Sequence, residues 1–127
     1  MDAEQKRETP STEEQFKQLD EALALSRVGG DVDLLREVVG LFLDDYPQTL
    51  DHIRSAVATK DATAIEHHAH SLKGSVSTFG AGRAFEAALA LEKQGRSKDL
   101  RAVDEGLGRL ESALEDLVPE LQVLQTK

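Results

Sequence analysis

The chain has 127 residues, four histidines, no cysteine and a formal net charge of -9. A chain of this length makes one domain around a single modest core, and its acidic surface repels phosphate backbones, which argues against nucleic acid and favours partners with basic patches. Cysteine chemistry is absent, no apolar run approaches the ~20 residues that span a bilayer, and the opening stretch lacks the apolar centre of a signal peptide, so a cytoplasmic protein away from membranes is expected.

In chain order the pattern predicts helix after helix, with no alternating run for a strand. Residues 1–10 form a polar lead expected to fray, and residues 11–127 form the domain. Ser11 and Glu14 have the spacing of a capping box, predicting a first helix that carries Phe16, Leu19 and Leu23 and stops at Gly29-Gly30. Asp31 is placed to cap a second helix with Leu34, Leu35, Val38, Phe42 and Tyr46 on its apolar side. Leu50, Ile53 and Val57 continue that side beyond Pro47, which is expected to bend the helix rather than divide it.

Asp61 is the expected cap of a third helix reaching Phe79, with Gly80 and Gly82 closing it in a tight turn. A short fourth helix is predicted over Arg83 to Gln94, with Phe85, Ala88, Leu89 and Leu91 on its apolar side, ended by Gly95 and followed by a possible cap at Ser97. The fifth carries Leu100, Val103, Leu107, Leu110, Leu114, Leu117, Leu121 and Leu124 in alternating threes and fours, weakened locally by Gly106, Gly108 and Pro119. Several amphipathic helices joined by short connections predict an all-α fold: an antiparallel up-down-up-down four-helix bundle with the additional short N-terminal helix across one end.

The third helix holds the segment that chemistry singles out, His70-Ser71-Leu72-Lys73-Gly74-Ser75-Val76. At ~100° per residue, Ile65, Ala69, Leu72, Val76 and Phe79 share one stripe, whereas His70 projects about 140° and Ser77 about 120° from its middle. Gly74 falls nearly opposite the stripe. A mid-helix glycine costs ~1 kcal/mol relative to alanine, and close approach by another molecule is one reason to keep it; loosening of the helix or packing against a neighbouring segment is the other. An exposed imidazole is a competent nucleophile near neutral pH, and Lys73, three residues on, can present its ammonium to phosphoryl oxygens. Glu66, four residues before His70, is a candidate to orient the imidazole. Ser77 is a secondary candidate on the same face, where it or Glu66 could pair with Lys73.

Ala69-His70-Ser71-Leu72-Lys73-Gly74-Ser75 followed by Phe79-Gly80-Ala81 resembles the signature of histidine-containing phosphotransfer domains. The likeness extends to the Gly-Gly-Asp turn at 29–31, Leu34-Leu35-Arg36-Glu37 and the Phe42 to Pro47 segment, and covers roughly residues 16–118. The resemblance implies a four-helix bundle that accepts a phosphoryl group on His70 from a receiver-domain aspartate and hands it to another receiver. It also implies a phosphocarrier rather than an enzyme, with no nucleotide site or cofactor of its own. Magnesium is expected in the partner receiver, and the expected partners are receiver domains and a sensor or hybrid histidine kinase.

Three histidines in four residues, His67, His68 and His70, raise a metal alternative. A closed structural site takes four ligands, while one face here offers at most three, so a weak surface zinc or nickel module is the most this pattern supports. His68 is expected to be partly buried, and His52 to be an ordinary surface histidine. A docking bundle in which His70 is incidental is the remaining alternative, and Leu43, off the main stripe of the second helix, is a candidate for a docking patch. Met1 and the polar lead favour a free-standing protein, expected to be a monomer.

Overall fold

The computed structural model describes residues 18–126, so the Ser11–Glu14 capping box and Phe16 lie outside the described residues. Five helices and no strand are found among them: α1 (Glu21–Arg27), α2 (Val32–Ala58), α3 (Ala62–Ser77), α4 (Gly82–Ser97) and α5 (Val103–Thr126). The first three open the same way. Asp20, Asp31 and Asp61 each accept a hydrogen bond from the backbone N–H three residues on, satisfying a donor that has no partner inside the helix.

Helix α1 corrects the expected first helix. Residues 18–20 are not helical, so Leu19, although buried, precedes the helix that carries Leu23. Its backbone is held from far along the chain: the Gln18 and Leu19 N–H groups donate to the Glu120 carboxylate, and Asp20 N–H donates to the Phe79 carbonyl. Gln18 also supplies what α4 lacks. Ala81, ahead of α4, offers no capping side chain, and the Gln18 Oε1 accepts from Ala84 N–H while its Nε2 donates to the Ala113 carbonyl.

Pro47 sits inside an unbroken α2, and both halves reach one core, through Leu35, Val39 and Phe42 before it and Leu50, Ile53, Ala56 and Val57 after it. Leu43 packs against that core half-buried, which removes it from an exposed docking patch; Leu41, 63 % exposed, is the solvent-facing leucine of this stretch. Helix α3 ends at Ser77, with Gly80 in the left-handed region at φ 63° making the turn and Gly82 already the first residue of α4.

Helix α4 runs past the expected stop at Gly95. That glycine faces α3 so closely that a Cβ there would lie 2.6 Å from the Glu66 nitrogen and 2.7 Å from the Ala62 carbonyl oxygen. Gly95 therefore brings two backbones together rather than ending a helix. Leu100 packs on the core ahead of α5, whose stripe from Val103 to Leu124 is buried except for half-buried Leu107.

Each of α2 to α5 packs on its neighbours in sequence, α5 closes back on α2, and the α3–α4 seam is the most extensive. Residue pairs across the seams run in opposite order. Arg54 meets Glu111 between α2 and α5, and Lys60, just past the end of α2, meets Asp104; Arg96 meets Glu66 and Glu92 meets His70 between α4 and α3. Phe79, Ile53, Ile65, Leu72, Leu91, Leu110, Leu117 and Leu121 fill the interior.

Candidate functional site

The close α3–α4 approach at Gly95 sets the frame for the site. One turn before it on α4, Glu92 shares the four-residue spacing of buried Ala84 and Ala88, so its carboxylate is carried into the seam and its side chain is 3 % exposed. An isolated buried carboxylate is costly, and this one is surrounded by cations. Lys73 Nζ lies 2.7 Å from Oε1, and Arg96 Nη2 donates to Oε2 at 2.8 Å. The Lys73 hydrogen bond and, less strongly, the one from His70 outweigh the opposing effect of burial and hold the Glu92 carboxyl down at about 2. Glu92 is thus ionised at every physiological pH.

The third group on Glu92 is His70, whose Nδ1 lies 2.8 Å from Oε2. An ionised carboxylate only accepts hydrogen bonds, so Nδ1 carries the hydrogen and donates it. The lone pair then resides on Nε2, across the ring from Glu92. The His70 side chain remains 67 % exposed. Tethering one nitrogen of an otherwise open imidazole fixes both its tautomer and its direction.

The residues singled out from the sequence fall into two groups. His70, Lys73 and Gly74 gather on the solvent side of the seam: Gly74 is exposed, and nothing lies within 4 Å of where its Cβ would be. No packing within the described residues accounts for that glycine. Lys73, only 21 % exposed at its side chain, is engaged with Glu92 rather than with Glu66 or Ser77. Glu66 does not orient His70; its carboxylate accepts from Arg96 Nε at 3.0 Å. Ser77 turns to its own helix and donates to the Gly74 carbonyl at 2.7 Å.

Glu92 and Arg96 are the site residues that motif spacing misses, because they come from the neighbouring helix. The available signal was a carboxylate placed at core spacing on α4. Among the remaining histidines, His68 is half-buried as expected, and its ring lies 5.0 Å from that of His67 and 4.8 Å from that of His52. His52 is exposed, as expected of a surface histidine, with the His68 ring as its neighbour. Among the described residues, no three histidine, cysteine, aspartate or glutamate side chains converge to hold a metal ion.

An all-helical fold displaying a tethered, solvent-facing histidine beside lysine and an uncrowded glycine defines a phosphoryl-carrier class of site. The family model for the Hpt domain matches residues 37–122, more than half of the chain, and the chain belongs to that family. It is a histidine phosphotransfer protein of a phosphorelay. Among solved structures it is similar to histidine-containing phosphotransfer protein B of Pseudomonas aeruginosa, with 24 % identity, a TM-score of 0.79, and coverage of 87 % of this chain and 96 % of that one. At that identity the likeness speaks to the fold. No curated protein sequence matches significantly.

Proposed function

We propose that His70 is the phosphoacceptor, receiving a phosphoryl group at Nε2 from a receiver-domain aspartate and passing it to the aspartate of another receiver. The observation that carries this reading is the 2.8 Å contact between Nδ1 and buried Glu92, which leaves Nε2 as the nucleophile of an exposed ring. Gly74 clears the surface one turn further on, so a convex partner can approach in line with the nitrogen. Lys73 and Arg96, already drawn to the site by Glu92, are the cations nearest the ring from which phosphoryl oxygens can take counter-charge once a side chain turns toward Nε2.

Membership of the Hpt family supports a phosphocarrier: the chain supplies a nucleophile and counter-charges, and carries phosphate rather than turning over a substrate. The magnesium that neutralises the phosphoryl group during transfer is assigned to the receiver. Residue pairs run in opposite order across the other two seams as well, Phe42–Phe79 with His52–His68 and Arg83–Asp116 with Leu91–Gly106, and with connections of only a few residues this supports an up-down-up-down bundle. Among the described residues no helix is long and apolar enough to cross a membrane, which agrees with a cytoplasmic relay.

The test is phosphoryl transfer from a phosphorylated receiver to the wild type and to His70→Gln, with folding of the variant checked by circular dichroism. Acid-labile label on the wild type that is absent from the folded variant is the expected result. Equal labelling of the two proteins would refute the assignment and redirect it to His67, His68 or His52.

A further inference from the structure

Glu92 does more chemistry than orientation requires. An uncharged acceptor would suffice to select the tautomer of His70, yet the seam buries a full carboxylate there, 3 % exposed, and surrounds it with Lys73 and Arg96. What a charge adds is a preference among protonation states of the ring once it is phosphorylated.

Resting on His70 as the phosphoacceptor, we propose that Glu92 keeps the Nδ1 proton on the phosphorylated ring, so that no proton moves in either direction of transfer. In the forward step the Nε2 lone pair attacks phosphorus, the P–O bond to the receiver's aspartate breaks, and its electron pair leaves with the carboxylate. The product is an N-phosphorylated imidazolium bearing Nδ1–H opposite the Glu92 carboxylate. In the outward step a receiver carboxylate oxygen attacks phosphorus and the P–Nε2 pair returns to the ring. Neutral imidazole departs with its Nδ1–H untouched. Were Nδ1 to lose its proton first, the leaving group would be imidazolate, a far more basic and slower one.

The surrounding charges support this assignment. The groups facing the site are Glu66, His67 and Lys73 on α3 and Glu92 and Arg96 on α4. The four that are permanently charged near neutrality, two acids and two bases, sum to zero, so an imidazolium forming at His70 meets no net positive field. Replacing Glu92 by glutamine keeps an acceptor of nearly the same shape but removes the negative charge in hydrogen-bond contact with Nδ1, so the ring holds that proton less tightly. Glu92 is in this sense a positioning residue that also sets the charge of the leaving group.

The experiment compares outward transfer from phosphorylated wild type and Glu92→Gln to one and the same receiver between about pH 6 and 9, a window that brackets the ordinary histidine value of ~6.5. Taking the ratio of the two rates removes the receiver's own pH dependence. The ¹⁵N shift of His70 Nδ1 is followed in both phosphorylated proteins. Expected is an Nδ1 that stays protonated across the range in the wild type. In the variant it titrates, and its transfer rate falls, relative to wild type, about tenfold per pH unit above that titration. Superimposable pH profiles, or a wild-type Nδ1 that titrates near ~6.5, would overturn the proposal. The wild-type titration decides alone if the variant does not fold. Label on folded His70→Gln would instead overturn the acceptor assignment beneath it.

Discussion

The α3–α4 and α2–α5 seams are both crossed by ion pairs, yet only one of them makes a site. Between α2 and α5, Arg54 meets Glu111 at 2.6 Å and Lys60 meets Asp104 at 3.4 Å, with every partner at least a third exposed. Between α3 and α4, one carboxylate that is 3 % exposed gathers a lysine, an arginine and a histidine. Water screens the first set and leaves it nearly neutral energetically, whereas burial makes the second set obligatory. Acid–base pairs thus staple one seam loosely and preorganise chemistry in the other. The cause is backbone distance: Gly95 lets α4 approach α3 closely enough to take Glu92 out of solvent.

The widest separation between the seams is expected from removing their acids. Glu92→Ala leaves Lys73 without its counter-charge in a half-buried position and should cost about 3 kcal/mol, the low end for breaking a buried pair because the cations around it reach water. Glu111→Ala should cost less than about 1 kcal/mol. Urea denaturation of the two variants checks this, and equal losses would abolish the distinction between the seams.

Two glycines near the site sharpen the same contrast. At Gly95 an alanine methyl would meet backbone atoms that cannot step aside, so Gly95→Ala should destabilise by about 2 kcal/mol and weaken the hold of Glu92 on His70. At Gly74 the space is open, and Gly74→Ala should gain about 0.5–1 kcal/mol of helix stability. A bulkier residue there, as in Gly74→Gln, should leave folding intact and slow acceptance of phosphate from a receiver. Thermal melts and transfer rates separate the two effects.

Acid provides the most gradual test. The Glu92 carboxyl is depressed from 4.5 to about 2, so its contribution to stability is complete above about pH 4.5 and is lost as the pH falls toward 2. That component should be missing from a pH series of melting temperatures for Glu92→Gln and retained in Glu111→Gln. His68 adds a weaker component at higher pH. Burial lowers it below the ordinary histidine value, with His52 and His67 adding to the effect, so stability complete above about pH 6.5 is partly lost below it. His68→Phe should flatten that portion of the curve.

Much of this molecule was legible before its tertiary structure. The 3.6-residue periodicity located the four long helices, and aspartates 31 and 61 marked the starts of α2 and α3, because capping is a local hydrogen bond set by residues three apart. The exposed positions of His70 and Gly74 followed from angles along one helix. Local rules failed where the deciding partner was distant. Glycine signals a stop only on local grounds, and Gly95 instead serves a contact with Glu66 and Ala62. The missing cap of α4 comes from Gln18, 66 positions earlier than the N–H it satisfies.

The functional residues divide along the same line. The sequence by itself determined the helical class, the amphipathic faces and the display of His70, Lys73 and Gly74, since a helix imposes the same angle wherever it lies. Only the tertiary structure decided that Glu92 and not Glu66 holds the imidazole, that Lys73 is its neighbour on the same carboxylate, and that Nε2 is the nitrogen left free. Those outcomes depend on how closely two helices approach and how much water they exclude. Neither quantity is encoded in the spacing of residues along a single helix.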